Sequence, residues 1–176
     1  MIDGTASPCR RSAARRSAPA VLCALCTLAA LLAPAGPAGA AAAEPLASAP
    51  TNWGDAEVAL MAVERKGNVL TVKWAVTNGN DERTSVRFGL TKQATSYLVD
   101  EENGTKYYVL TDQDGNALAT ENAWIDGNTW GISDTLEPGA TARYWAKFPA
   151  PPPEVGTLTV LFDQTEPFEE VPIADK

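Results

Sequence analysis

The stretch LEPGATARYWAKFPAPPPEVGTLTVLFDQTEPFEEVPI, from Leu136 to Ile173, decides the fold. Its opening Glu137-Pro138-Gly139 predicts a turn, because proline fixes φ and glycine accepts a positive φ. Residues 141–148 then alternate between apolar and polar, which indicates a strand. The prolines between positions 149 and 153 end that strand, since proline cannot donate to a ladder. A second strand is predicted over residues 157–162, followed by a closing tail.

The alternation assigns each side chain of the 141–148 strand to a face. The face expected on the core carries Ala142, Tyr144, Ala146 and Phe148. The opposite face carries Arg143, Trp145 and Lys147. We expect Trp145 to cover the second side of the sheet.

The cleanest strand pattern in the chain runs from Val69 to Thr77. Its predicted core face consists of Leu70, Val72, Trp74 and Val76. Because Trp74 alternates in phase with aliphatic residues, it is expected to be a buried core residue.

Residues 1–40 have the three features of a secretory signal peptide. Four arginines lie between positions 10 and 16, and the apolar run Val21–Ala33 is too short to span a bilayer. Ala38-Gly39-Ala40 is a small-residue cleavage site. We therefore expect cleavage near Ala40 and a secreted, extracellular protein without stable membrane insertion after cleavage. Residues 41–52 are rich in Ala, Ser and Pro and predict a flexible linker before a domain over residues 53–176.

The composition of the chain after residue 40 limits the partners and the kinds of binding site that we expect for it. The chain has 14 basic and 22 acidic residues. Residues 1–40 hold four Arg and one Asp, which leaves 10 basic and 21 acidic residues and a net charge of −11. Such a domain repels nucleic acid. All three cysteines precede residue 40 and there is no histidine, so we expect no disulfide, no zinc site and no cofactor.

The remaining sequence contains about 7–9 short strand patterns separated by Gly, Asn, Asp and Pro, with no sustained helical period. This pattern predicts an all-β fold, an antiparallel immunoglobulin-like β-sandwich. A small barrel is the alternative.

Candidate ligand-binding residues lie in the segment Glu121–Ser133, which lacks regular strand alternation. They are Trp124, Trp130, Asn122, Asp126 and Asn128. Aromatic rings beside short polar side chains suit the binding of a sugar or a peptide. The competing interpretation, which we favour, is that the two tryptophans close one end of the sandwich.

Asp112 and Asp114, in the motif Asp-x-Asp-Gly-Asn, resemble the start of a calcium loop. A full EF-hand needs a Glu at the twelfth position, and residue 123 is Ala. A hairpin turn explains Asp114-Gly115 better, so no metal site is predicted.

Three pieces of the chain resemble a group of secreted actinobacterial immunoglobulin-like (telokin-like) domains. They are YLVDEENGTKYYVLTDQDGNALAT (97–120), LEPGATARYWAKFPAPP (136–152) and EPFEEVPI (166–173). Similar modules occur alone or attached to OmpA-like domains, and the secreted mycobacterial immunogenic proteins are more distantly similar. The resemblance implies the fold and an extracellular location, and it implies no catalytic residue.

These observations predict a secreted, non-enzymatic interaction module whose partner is an unknown protein or glycan of the bacterial cell envelope. The first alternative is a glycan- or peptidoglycan-binding module that uses Trp124 and Trp130. The second is a small hydrolase that depends on carboxylates.

Overall fold

A computed structural model describes residues 44–91, 96–120, 123–126 and 129–176, with the side chains of 123–126 and 129–130 left out. The described residues belong to one compact unit. They form twelve strands: β1 Ala47–Pro50, β2 Ala56–Lys66, β3 Val69–Asn78, β4 Thr84–Gly89, β5 Tyr97–Asp100, β6 Thr105–Tyr107, β7 Ala123–Asp126, β8 Thr129–Leu136, β9 Thr141–Pro149, β10 Thr157–Leu161, β11 Phe168–Pro172 and β12 Ala174–Asp175.

The strands form three sheets. The first has the order β1-β2-β3-β9, and β12 adds to β2 in parallel. The second has the order β11-β10-β5-β6, and the third β4-β8-β7. The other strand pairs are antiparallel. The inner faces of all three sheets contribute to one apolar cluster, so the predicted all-β antiparallel sandwich is confirmed.

The alternation predicted for the strands that became β3 and β9 is confirmed. Leu70, Val72, Trp74 and Val76 are fully buried. Across the ladder, Trp74 lies opposite Tyr144 and Lys73 lies opposite Trp145. Tyr144 is buried and Trp145 is exposed. The pairing therefore directs one aromatic pair into the core and leaves a basic-aromatic pair on the outer face.

Trp74 joins the three sheets at the centre of the core. Its ring lies 5.4 Å from that of Phe88 in β4 and 4.6 Å from that of Phe162, which follows β10. Tyr144 in β9 lies 6.0 Å from both Trp74 and Phe88. Edge and tilted contacts of this kind add to the stabilisation from burial. The Trp74 ring of the first sheet thus contacts a ring of the third sheet and the ring that follows β10 of the second.

A buried asparagine closes one end of the sandwich. The Asn78 side chain is fully buried and donates to the carbonyls of Glu82 at 2.8 Å and Leu136 at 3.0 Å. Its oxygen accepts from the Thr84 hydroxyl at 2.8 Å and the Asn80 amide N–H at 3.0 Å. A buried amide requires such partners. The side chain therefore ties the end of β3 to the start of β4 and the end of β8.

The opposite end is held through Arg65, which is 7% exposed. Its guanidinium donates to the carbonyls of Pro152, at 3.1 Å, and Val155. It also ion-pairs with Asp175 at 3.2 Å. One side chain therefore fastens both the proline-rich crossing and the closing tail to β2.

The structure corrects the linker assignment and the expected number of strands. The segment 41–52 is not a linker throughout, because β1 lies within it and pairs with β2 from Ala47↔Leu60 to Pro50↔Glu57. Residues 41–43 lie outside the described residues. The described strands also outnumber the 7–9 expected, since β1, β11 and β12 form in segments taken as linker or tail and the β7–β8 hairpin forms in a segment taken as irregular. Each of the first three is held by pairing with another strand, β1 and β12 with β2 and β11 with β10, and composition does not reveal such pairing.

We predict that Trp74→Ala lowers the free energy of unfolding by about 3–5 kcal/mol, the usual cost of truncating a large core aromatic. Trp145→Ala is the matched control, because it removes the same side chain from the neighbouring rung of the ladder but from the outer face. It is expected to cost less than about 1 kcal/mol. Urea unfolding measures both, and equal losses would show that the two faces are assigned wrongly.

Candidate functional site

The outer face of the first sheet carries the candidate site. Trp145 is 38% exposed, high for so large an apolar side chain. Arg143 and Lys147 lie two residues away on either side in the same strand, so they share its face. Lys73 lies directly opposite Trp145 on β3. We call Met61, Lys73, Arg143, Trp145 and Lys147 the Trp145 face.

Met61 reaches this face through a bulge. The pairing of β2 with β3 shifts between Leu60 and Ala62, which leaves Met61 as the extra residue. With Lys73, Arg143 and Trp145 it lines a shallow groove of about 210 Å³. Met61 also lines a second groove of about 250 Å³ that includes Leu46 and Ile173. The bulge thus connects the two grooves into one apolar strip across the sheet.

The Trp145 face is basic although the domain is acidic. It holds three of the ten basic residues that follow position 40. The Lys147 ammonium lies 5.7 Å from the centroid of the Trp145 ring, within range of a cation–π interaction. Lys73 is paired with Glu64 at 2.8 Å. Among the described residues, no carboxylate forms an ion pair with Arg143 or Lys147.

The backbone under Trp145 is bonded on both sides. On one side β9 pairs with β3. On the other, Thr120 N–H donates to the Trp145 carbonyl at 2.8 Å, and Trp145 N–H donates to the Thr120 hydroxyl at 2.8 Å. Lys147 makes similar bonds with Leu110 and Leu118. The strand that carries the Trp145 ring is therefore hydrogen-bonded along both edges. The edge of β9 that faces away from β3 is already occupied by the segment 110–120.

The structure revises the setting of Trp124 and Trp130. The segment expected to be irregular contains β7 and β8, and the two positions face each other directly across this hairpin. Asp126 pairs with Thr129 at its end. Asn122 and Asn128 lie outside the described residues, as do the side chains at 124, 126 and 130. The pairing brings Trp124, Asp126 and Trp130 together along the backbone, and their exposure stays a prediction.

Asp112 caps the turn at Asp114-Gly115, which the sequence favoured over a calcium loop. Its carboxylate accepts from the backbone N–H groups of Asp114 at 2.9 Å and Asn116 at 2.8 Å, and from the Asn116 side chain at 3.0 Å. Gly115 has φ 85°, as a turn of this kind requires. Within the described residues, no group of three or more acidic side chains is arranged to hold a metal ion.

The hydrogen bonds from Asn116 hold the pKa of the Asp112 carboxyl below its ordinary value, and the bond from the Asn116 side chain has the largest effect. A lowered pKa means that this contribution to stability is present above the unfolded-state pKa of about 3.9 and is lost as the pH falls through the folded-state value.

We predict that Asn116→Ala raises the Asp112 pKa in a carboxyl NMR titration. Asn103→Ala, which removes the matching amide from the Asp100 carboxylate of another loop, is expected to leave it unchanged. An unmoved pKa in Asn116→Ala contradicts the capping role.

Sequence reasoning placed Trp145 on the polar face but did not make it a site residue. The available signal was the run Arg143-x-Trp145-x-Lys147, an aromatic flanked by cations on the outward positions of a strand. Met61 gave no such signal, because a bulge is not visible in alternation.

Comparisons of the chain with protein-family models, curated proteins and solved structures found no match. The described ranges contain no helix with the length and apolar character needed to cross a membrane. The resemblance to the secreted immunoglobulin-like domains therefore remains a prediction.

Proposed function

We propose that this chain is a secreted, non-enzymatic interaction module of the bacterial cell envelope or medium, and that it binds its partner through the Trp145 face. The observation that carries the proposal is an exposed tryptophan flanked by two cations that have no ion-pair partner within the described part of the chain. Large aromatic and arginine side chains dominate the energetics of many protein interfaces.

The shape of the face supports binding rather than catalysis. The groove beside Trp145 is about 210 Å³, below the range of about 300–1,000 Å³ usual for enclosed small-molecule sites. Glu64, a carboxylate that lines the neighbouring groove, is bonded to Lys176 and Lys73, which hold its pKa below the ordinary value. It stays ionised at neutral pH and is a poor general acid.

The sequence of residues 1–40 supports export, and the composition of the domain is compatible with an extracellular location. The chain after residue 40 contains no cysteine, so its stability does not depend on the redox state of the compartment. The resemblance of residues 97–120, 136–152 and 166–173 to secreted actinobacterial domains supports the same location.

A glycan-binding module that uses Trp124 and Trp130 is the second candidate. Its support is the direct pairing of the two positions across the β7–β8 hairpin. Two aromatic residues at adjacent positions on one hairpin would provide a larger stacking surface than either alone. This candidate places the contact on the third sheet rather than on the first.

We predict that the immobilised secreted protein retains a component of envelope extracts and that Trp145→Ala abolishes most of this retention. Tyr97→Ala is the matched control, because Tyr97 is a half-buried aromatic in a strand of the second sheet. It is expected to retain the component. Circular dichroism checks that each variant is folded. Retention lost only in the Trp124→Ala/Trp130→Ala double variant would instead support the second candidate, and no retention by the wild type would contradict both.

A further inference from the structure

The geometry of the Trp145 face points to a ligand class, and we propose that it binds an anionic sugar polymer. In this arrangement one sugar ring stacks on Trp145, while carboxylate or phosphate groups of the polymer pair with Arg143 and Lys147. The inference rests on the proposed function and specifies the chemical class of the partner.

Charge complementarity is the first argument. The domain carries a net charge of −11 after residue 40, from 10 basic and 21 acidic residues, yet Arg143 and Lys147 stand on one strand without an ion-pair partner among the described residues. Long-range repulsion of an anionic polymer is screened beyond about 8 Å at physiological salt. Close to the face, the local cations therefore determine the interaction.

Spacing along β9 is the second argument. Side chains on one face of an antiparallel strand recur about every 7 Å, so the Cα atoms of Arg143 and Lys147 lie about 14 Å apart with that of Trp145 midway. A polymer that runs along β9 places a ring on Trp145 and an anionic group at each end. Arginine contributes a planar fork suited to carboxylate or phosphate, and lysine a point charge.

The groups on the face also distinguish a sugar from an acidic peptide. An extended peptide usually binds by adding to a sheet edge through main-chain hydrogen bonds. The edge of β9 beside Trp145 is already bonded to the segment 110–120. What the face offers is an aromatic plane with donors on both sides, which matches ring faces that carry hydroxyl and anionic oxygens.

The face is open, which favours a polymer over a single sugar. Met61 connects the groove beside Trp145 to the groove lined by Leu46 and Ile173. A shallow site gains little from one ring, and several weak contacts along a chain raise the total affinity through effective concentration.

Affinity electrophoresis with four polymers tests this ligand class at about 0.15 M salt, where the Debye length is about 8 Å. Polygalacturonate supplies rings and carboxylates, and its fully methyl-esterified form supplies the same rings without charge. Poly-L-glutamate supplies the charge without rings. A sugar polymer linked by phosphodiesters distinguishes phosphate from carboxylate as the anionic group. We expect retardation by polygalacturonate or the phosphodiester polymer. Binding of the methyl ester is expected to be at least tenfold weaker, since losing one charge-assisted hydrogen bond costs about that much. Poly-L-glutamate is also expected to bind more weakly, because it has no ring to stack on Trp145.

Charge-neutral variants test the residues. Arg143→Gln/Lys147→Gln is expected to weaken binding of the anionic sugar polymer at least tenfold, by the same reasoning. The matched control, Arg87→Gln/Lys106→Gln, makes the same change of charge on the third and second sheets. It also removes a lysine that lies 4.2 Å from an aromatic ring centroid, that of Tyr97. The control is expected to bind like the wild type.

The outcomes separate the ligand class from the proposed function. Equal binding of polygalacturonate and its methyl ester overturns the anionic part and leaves a neutral glycan. Equal binding of poly-L-glutamate overturns the sugar part and leaves an acidic protein or a general polyanion. If no anionic sugar polymer binds although envelope retention still depends on Trp145, the ligand class is wrong and the proposed function stands. If envelope retention does not depend on Trp145, the proposed function itself is wrong.

Discussion

The register between β3 and β9 is the constraint on which both faces of the molecule depend. It sets Trp74 against Tyr144 on the inside and Lys73 against Trp145 on the outside. Because side chains alternate with a period of two, a slip of one residue would exchange the two faces. Such a slip would bury a lysine and expose the tryptophan that joins the three sheets. The core and the candidate site are therefore two consequences of one pairing.

Both ends of that pairing are fixed by bonds outside the strands. At one end, Asn78 N–H donates to the Ala140 carbonyl at 2.9 Å and the Asn78 carbonyl accepts from Gly139 at 2.8 Å. Gly139 has φ 71°, so the turn that begins β9 requires a residue without a Cβ. At the other end, Ala150 N–H donates to the Asn68 carbonyl at 3.0 Å. The buried Asn78 side chain adds cost to any slip, because its partners would lose their hydrogen bonds inside the protein.

Sequence patterns predicted the parts of the fold that are governed by alternation within a strand. Val69–Thr77 and residues 141–148 have a clear period of two, and their faces were correct, including Trp74. The segment 41–52 was misread because the strand Ala47–Pro50 is composed of Ala, Ser and Pro and owes its structure to pairing with β2. The hairpin β7–β8 was missed since β7 has only four residues and its pairing with β8 is itself irregular.

The candidate site was only partly predictable for a related reason. The outward direction of Trp145 follows from its own strand, and so do its two basic neighbours. The approach of Lys73 to Trp145 depends on the register between β3 and β9, and the approach of Met61 depends on a bulge in β2. Both are relations between two strands rather than within one, and local composition carries no signal for them.

Hydrogen exchange of the two indole N–H groups tests the register most directly. The Trp74 indole nitrogen is buried and has no hydrogen-bond partner among the described residues, so its protection depends on burial alone. The account predicts that Trp74 exchanges only through global unfolding, whereas the Trp145 indole exchanges orders of magnitude faster. Comparable exchange of the two groups, or a protected Trp145 beside an unprotected Trp74, would contradict the register and with it the assignment of the binding face.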